Sequence, residues 1–287
     1  MEKGKKKKVK CALIVEGGAM RGIFSTGVLD AFIKENFYPF DLAIGVSAGS
    51  TNIAAYLAKM FERNYRVYTD YSLRKEFINI WKFFRGKHLI DLDWLWDITI
   101  REVKLDIKKI VKGKTTFLIG LTDVDSGTAV YMEPTEKNLE TALKASSALP
   151  VLYRDFISVD GKEYTDGGLS DPIPVREAYR LGARKIVVLR SRPYDHVVDT
   201  GQDTFLARIF MRKHPKLLKV ILERPRVYNE ALDFVRNPPR GVEIIEVNPP
   251  KGFRTRRLTK DVEMLMKDYR HGFEAGCKLI SQWKTKA

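Results

Sequence analysis

One serine of this sequence has the surroundings of a catalytic nucleophile. Gly45, Ser47 and Gly49 form a G-x-S-x-G pattern that follows an apolar stretch over 42–46 and precedes a helical pattern. A serine in such a tight strand-to-helix turn has a strained backbone, and side chains two positions to either side would clash with the turn. Glycines remove that clash and leave the hydroxyl exposed at the positive end of a helix. The alternative is a structural turn that contains a serine, but the strand and helix on either side favour the nucleophile.

Asp166 is the candidate base for this serine. It ends a short predicted strand and precedes Gly167 and Gly168, which permit another backbone to approach closely. The alternative is a turn aspartate, the commonest role of an Asp-Gly pair. The histidines, the usual bases of hydrolytic serines, have no motif around them: His88, His196, His214 and His271. Asp166 is therefore a better candidate for the base than any histidine, and the turn aspartate stays open as the alternative.

A further glycine loop follows an apolar strand predicted over 11–15. Its residues Gly17, Gly18 and Ala19 can direct main-chain N–H groups toward one point and so stabilise the oxyanion of a tetrahedral intermediate. The same loop, as far as Gly22, loosely fits a dinucleotide-binding fingerprint, which needs an acidic residue at the end of the second strand. The serine turn occupies that place, so we reject the nucleotide interpretation.

Apolar stretches and helical patterns alternate along the chain around these loops. Stretches over 11–15, 42–46 and 185–189 are short and almost wholly apolar, which is typical of strands buried on both faces. Helical patterns follow the first two, from about residue 21 and over 49–61, and predict parallel strands joined by right-handed crossovers. Further strands are predicted over 117–121, 129–132, 163–165 and 242–247, and a helix over 139–148. This alternation favours an α/β sandwich.

Apolar residues near the end of the chain recur at steps of three and four. The spacing predicts one face of a long amphipathic helix, which we expect to pack on the body of the protein. Its members are Leu258, Val262, Leu265, Met266, Tyr269, Phe273, Cys277 and Ile280. Cys11 and Cys277 are the two cysteines and form no metal-ligand pattern, so we expect both to be buried free thiols.

Three motifs occur in a specific order: Gly-Gly-Ala-Met-Arg-Gly from residue 17, Gly-Val-Ser-Ala-Gly from residue 45 and Asp-Gly-Gly from residue 166. In this order they resemble the signatures of patatin-like phospholipases, and the stretches 145–150 and 169–174 strengthen the resemblance. It covers about residues 9–190, and the joint order is far more specific than any one motif. The resemblance implies a three-layer α/β/α sandwich with a mostly parallel central sheet, the patatin-like fold.

The resemblance also implies a catalytic site. Ser47 and Asp166 would form a Ser–Asp dyad and Gly17, Gly18 and Ala19 an oxyanion hole, with no metal or other cofactor. The remaining motif residues would shape and support the loops: Arg21, Gly22, Gly45, Gly49, Gly167 and Gly168. The family usually has a third glycine where this sequence has Ala19. Alanine keeps the N–H donor but disfavours a positive φ. We therefore expect a hole of slightly altered geometry.

The implied activity is phospholipase A-type hydrolysis, through an acyl-enzyme, of phospholipids or related acyl lipids. The alternatives are a general carboxylesterase or lysophospholipase acting on soluble acyl esters, and a catalytically silent lipid-binding protein. The formal net charge of +15 favours anionic partners, and we expect peripheral contact with an anionic membrane. No clustered aromatic and basic RNA motif occurs, so we expect no nucleic-acid partner.

Aromatic and basic side chains are concentrated between residues 74 and 112. Together they suit a membrane interface or the mouth of an acyl pocket, and a helical cap on the sheet is an equal alternative. The apolar members are Phe77, Ile78, Ile80, Trp81, Phe83, Phe84, Trp94, Leu95 and Trp96, and the basic members are Arg74, Lys75, Lys82, Arg85 and Lys87.

Three regions are predicted along the chain: a basic disordered tail over 1–8, a catalytic domain over 9–190 and a helical extension over 191–287 packed on it. The apolar stretch after the tail is too short for a signal core, and no run approaches the roughly 18 apolar residues of a membrane span. We therefore expect a cytoplasmic protein whose contact with the inner face of the membrane is at most peripheral.

Overall fold

One mixed sheet forms the centre of the protein. The computed structural model describes residues 10–78, 85, 88–150, 152–198 and 211–285. The strands are β1 (Cys11–Val15), β2 (Leu42–Val46), β3 (Thr116–Asp123), β4 (Ala129–Met132), β5 (Ile157–Val159), β6 (Lys162–Asp166), β7 (Lys185–Leu189) and β8 (Glu243–Val247). Hydrogen-bonded neighbours follow the path β5-β6-β3-β2-β1-β7-β8, and β4 also pairs with β3. Strands β3, β2, β1, β7 and β8 run parallel, whereas β4, β5 and β6 join antiparallel. The predicted α/β fold with a mostly parallel sheet is confirmed.

Helices cover both faces of this sheet. They are α1 (Ile23–Lys34), α2 (Ala48–Leu57), α3 (Arg63–Arg66, continued by a π-helical turn over Val67–Tyr71), α4 (Leu92–Glu102), α5 (Ile107–Val111), α6 (Leu139–Ser147), α7 (Val175–Arg180), α8 (Pro215–Arg236) and α9 (Val262–Thr285). Alternate residues of a strand point to opposite faces. In β1, Leu13 and Val15 join the core beneath α1, α2 and α6, and Ala12 and Ile14 join the core beneath α7 and α8. Burial on both faces explains the continuous apolar stretches.

The register of β3 sets the position of two loops that are far apart in sequence. Gly120 of β3 pairs with Val46, the residue before Ser47, and Leu121 pairs with Asp166 at the end of β6. Strand β4 pairs with both Gly120 and Leu121, so it occupies the edge of β3 opposite to β2 and to β6. Since a strand has only two edges, β6 shares the edge of β3 that β2 occupies. The end of β6 therefore abuts the end of β2.

The chain beyond residue 190 is built into the same body. Strand β8 extends the sheet beside β7, and α9 crosses α1 at close range. A Cβ on Gly272 would lie 2.0 Å from the Phe24 oxygen, and one on Gly27 would lie 2.1 Å from the Tyr269 oxygen. Such close contact requires residues without side chains at the crossing. The division of the chain at residue 190 stays a prediction.

The buried face of α9 differs from the predicted apolar face. The predicted member Leu258 lies before the start of α9 and is 39% exposed, and Val262 and Met266 are exposed by 43% and 40%. Cys277 is exposed as well, so the prediction of two buried thiols is wrong for Cys277, whereas Cys11 is buried. The closest packing of α9 runs through glycines such as Gly272. The predicted members Leu265 and Ile280 are buried, but a pattern of apolar residues gives no weight to glycine and so missed the glycines of the contact face.

Part of the aromatic and basic segment lines a cavity, to which Phe77, Leu95 and Trp96 contribute. The predicted members Ile80, Trp81, Lys82, Phe83, Phe84 and Lys87 lie outside the described residues, as does the tail over 1–8. The membrane interface therefore stays a prediction. None of the helices in the described ranges is long and apolar enough to cross a membrane.

Candidate active site

Ser47 lies in a strained turn between β2 and α2. Its backbone has a φ of 54° and a ψ of −130°, a conformation that costs a residue with a side chain about 1–3 kcal/mol. The flanking glycines make the turn possible, because a Cβ on Gly45 would lie 2.5 Å from Ser50 Cα and one on Gly49 would lie 2.2 Å from Val15 O. The turn places Ser47 at the N-terminus of α2, where backbone N–H groups favour negative charge.

A buried hydroxyl on the last turn of α6 fixes this turn. Ser146 Oγ accepts a hydrogen bond from Ser47 N at 2.8 Å and donates one to Gly120 O at 2.7 Å. The Ser50 hydroxyl lies 3.1 Å from Ser146 Oγ and must be the donor, since the single Ser146 proton is already used. Sequence reasoning finds the motif stretch around Ser146 but assigns that residue no role.

Asp166 ends β6 beside the serine turn and is only 4% exposed. Its Oδ1 accepts a hydrogen bond of 2.7 Å from Gly168 N, and Asp166 lines the same cavity as Ser47. Burial raises the pKa of Asp166 above the ordinary 3.8, although hydrogen bonds from Ser47 and Gly168 oppose this shift. Gly167 permits the close approach of β3, because a Cβ there would lie 2.2 Å from Gly120 O.

The loop after β1 brings free amide groups to the same place. A Cβ on Gly17 would lie 2.7 Å from Ser47 Cβ. Ala19 has a φ of 49°, a left-handed conformation that costs an L-residue about 1–2 kcal/mol. Among the described residues, no carbonyl accepts a hydrogen bond from the N–H groups of Gly17, Gly18 or Ala19. The Ser191 hydroxyl fixes the loop by donating to Gly17 O at 2.7 Å.

A buried ion pair supports that loop. The Glu16 carboxylate accepts hydrogen bonds from Arg190 Nε at 3.0 Å, Ser191 N at 2.8 Å and Tyr228 Oη at 3.0 Å. Burial opposes its ionisation, but Arg190, the Ser191 N–H and Arg21 together hold the pKa of Glu16 below its ordinary value. Sequence reasoning missed this cluster, because its members come from segments that are far apart in the chain and form no motif.

Arg21 and Gly22 belong to the helical turn that leads into α1. Arg21 is 4% exposed, and its Nε has no hydrogen-bond partner in the described part of the chain. Burial, Arg192 and Arg257 lower the pKa of Arg21 to about 9. A Cβ on Gly22 would lie 2.2 Å from the Tyr68 hydroxyl, so this turn can pack on the continuation of α3 only with glycine at that position.

Two cavities meet at Ser47. The first has an empty volume of about 1000 Å³, which includes open solvent at its mouth. Its walls are largely apolar, with Leu92, Leu95 and Leu143 among them. The second holds about 530 Å³ and lies against the loop after β1, Asp166, Arg224 and Arg257. The site can therefore take an apolar group on one side of Ser47 and a polar, anionic group on the other. Within the described ranges, no group of three or more His, Cys, Asp or Glu side chains could hold a metal ion.

Comparison with known proteins gives matches over most of the chain. A family model described as patatin-like phospholipase matches residues 13–179, and a model described as a domain of unknown function, DUF6363, matches residues 214–285. The chain is 34% identical over 275 residues to the uncharacterized protein YjjU of Escherichia coli strain K12, with 92% of this chain and 75% of that protein covered. A structural match is the crystal structure of VipD from Legionella pneumophila, with a TM-score of 0.43, 12% identity, and coverage of 96% of this chain and 67% of that one.

Proposed function

This chain belongs to the patatin-like phospholipase family, and from that membership we propose that it hydrolyses acyl lipids with Ser47 as nucleophile and Asp166 as base. Membership sets the coarse class, a lipid acyl hydrolase. One observation carries the finer proposal. Ser47 and Asp166 line one cavity together with the loop Gly17–Ala19, and a largely apolar cavity also borders Ser47.

In the first step, Ser47 Oγ attacks the ester carbonyl carbon while its proton moves to the Asp166 carboxylate. An aspartate of ordinary pKa is a poor base for a hydroxyl, so proton transfer must be concerted with attack. Burial assists the base, because it raises the pKa of Asp166. The negative charge that develops on the carbonyl oxygen is stabilised by the N–H groups of Gly17, Gly18 and Ala19.

Collapse of the tetrahedral intermediate then breaks the bond to the alcohol, which leaves with the proton from Asp166. In the second step, Asp166 removes a proton from water as the water oxygen attacks the acyl carbonyl of the Ser47 ester. The Ser47 oxygen departs and regains its proton from Asp166, and the fatty acid is released. In each step Asp166 accepts one proton and returns it to the oxygen atom that departs.

The apolar cavity suits the acyl chain of the substrate. Arg63, a charged residue in its walls, is bound by other groups: it donates from Nε to Val103 O at 3.0 Å and from Nη1 to Asn64 Oδ1 at 2.6 Å. The walls therefore present mainly hydrocarbon to a ligand. Burial of each CH₂ group contributes about 0.8 kcal/mol, so kcat/KM should rise along a series of esters from acetate to long-chain acids. A rise that continues for aggregated substrates would favour a phospholipase over a carboxylesterase for soluble esters.

The test of the dyad compares the wild-type protein with Ser47→Ala and Asp166→Asn on a monoacylglycerol. Each substitution should lower kcat/KM by about a thousandfold or more. Asp171→Asn is a matched control, because its side chain instead accepts a hydrogen bond from Tyr131 Oη at 2.5 Å, and an amide can still accept it.

A fluorophosphonate probe adds a readout that does not depend on the substrate. We expect it to label Ser47, as identified by peptide mass spectrometry, and to leave Ser47→Ala unlabelled, because a lipid-binding protein without catalysis has no activated serine. Melting temperatures would verify that the variants fold. Substantial turnover by folded Ser47→Ala, or labelling of another residue, would exclude the dyad.

A further inference from the structure

A third cavity lies beside the site, and its walls are dominated by arginines. Its empty volume is about 900 Å³, open solvent included. Its arginines are Arg21, Arg192, Arg224, Arg256 and Arg257. Arg257 also borders both cavities that meet at Ser47, and Arg21 and Arg224 border the smaller of them. The shared wall residues therefore place the arginine cavity next to the cavities at Ser47.

Arginines outnumber acids in the walls of this arginine cavity, as far as the structure describes them. In the described part of the chain, none of its five arginines takes part in an ion pair with a carboxylate. Glu16 is the one carboxylate in its walls, and it is already bound by Arg190, Ser191 N and Tyr228. The described walls therefore combine five arginines with a single acid, and Arg190 shares the charge of that acid with the cavity.

A buried arginine elsewhere in the fold has its charge compensated. Arg190 is fully buried, and it pairs with both Glu16 and Glu246 while donating to Tyr228 Oη at 2.8 Å. Arg21 is nearly as buried but has an unpartnered Nε. Burial and two neighbouring arginines lower its pKa. A buried cation with only partial compensation is costly, and a bound anion would reduce that cost.

We propose that the arginine cavity binds the phosphate of a lipid whose headgroup is a phosphate monoester, as in 1-acylglycerol 3-phosphate. Guanidinium groups match phosphate oxygens with two parallel hydrogen bonds, and a headgroup that ends in an ammonium group would meet like charge here. This headgroup assignment rests on the proposed acyl hydrolysis at Ser47 and specifies the substrate class of that reaction. Four of the five arginines lie beyond residue 190, so that region, whose segment 214–285 matches a family of unknown function, would select the headgroup.

The first test measures selectivity. The ratio of kcat/KM for 1-acylglycerol 3-phosphate to that for the monoacylglycerol with the same acyl chain is determined at constant ionic strength. The double variant Arg192→Gln/Arg256→Gln should lower this ratio by about tenfold or more, since it removes charge-assisted hydrogen bonds. Arg212→Gln/Arg240→Gln is the matched control, because it removes two exposed arginines that do not line the cavity. The control should leave the ratio unchanged.

The second test measures binding without turnover. Glycerol 3-phosphate is titrated calorimetrically into Ser47→Ala and into the same protein carrying Arg192→Gln/Arg256→Gln, whose dissociation constant should be about tenfold or more weaker. An unchanged selectivity ratio together with unchanged binding would overturn the proposal. Arginine-dependent binding with an unchanged ratio would support a phosphate site but assign it to a free anion and overturn the headgroup assignment. Arginine-dependent binding by a protein that cleaves no ester would support the site and reject the proposed hydrolysis.

Discussion

The substitution Ser146→Ala tests how the strained serine turn is fixed. Ser146 is fully buried, and its hydroxyl bonds Ser47 N, Gly120 O and the Ser50 hydroxyl. Alanine keeps the backbone and nearly the volume of serine but removes all three hydrogen bonds. The change therefore isolates the contribution of one hydroxyl to the geometry of the proposed nucleophile.

The expected magnitude follows from the groups that lose their partners. The Ser47 N–H and the Gly120 carbonyl lose hydrogen bonds of 2.8 Å and 2.7 Å, and an unsatisfied buried group costs about 1–3 kcal/mol. We expect the free energy of unfolding to fall by about 3 kcal/mol. The backbone of Ser47 is also released from its constraint, and a misplacement of about 1 Å can lower the rate by about 100-fold.

Urea unfolding followed by tryptophan fluorescence gives the free energy, and kcat/KM on a monoacylglycerol gives the catalytic effect. Ser147→Ala is the matched control on the same helix. Its hydroxyl donates only to Leu143 O, one turn earlier, at 3.1 Å, so its removal leaves no buried donor unpaired. The control should change the free energy of unfolding by less than about 0.5 kcal/mol. Equal stability of the two variants, with equal activity, would refute the role assigned to Ser146.

Three further substitutions test other parts of the fold. Gly272→Ala should lower the free energy of unfolding by about 1–3 kcal/mol, because its Cβ would lie 2.0 Å from Phe24 O and force α9 away from α1. Arg190→Met should lower it by about 3–5 kcal/mol, since Glu16 would remain as an uncompensated buried charge. Asp30→Asn should alter the pH dependence of unfolding. Burial raises the pKa of Asp30 from 3.8 to about 7, so the wild type loses stability as the pH rises through this range. The amide variant should therefore gain about 2–4 kcal/mol relative to wild type between pH 4 and pH 8.

Each of these predictions has a comparison that can contradict it. Gly252→Ala should be neutral, because a Cβ there meets nothing within 4 Å. Arg180→Gln should leave the free energy of unfolding nearly unchanged, since the Arg180 side chain is exposed. If a core variant is no less stable than its surface control in urea unfolding, the packing or charge argument fails. A constant difference between Asp30→Asn and wild type from pH 4 to pH 8 would exclude Asp30 as the titrating group.

Local patterns were sufficient to predict most elements but not all of their ends. The apolar stretches over 11–15 and 42–46 are strands with the predicted bounds, because burial on both faces leaves no room for polar residues. The helix predicted over 49–61 ends earlier, at Leu57. Lys59 adopts a φ of 58° there, and a left-handed residue closes a helix. Lysine gives no signal for that conformation, whereas glycine would have given one.

The sequence by itself determined the three loops, because glycine at a close approach and an apolar strand before it are local requirements. Only the tertiary structure decided that β6 runs antiparallel to β3 and ends against β2, which brings Asp166 to Ser47. It also decided which distant side chains meet, such as Ser146 at the serine turn and the arginines beyond residue 190 beside it. Strand order and register arise from the packing of the whole sheet, so contacts between loops depend on residues that no local window contains.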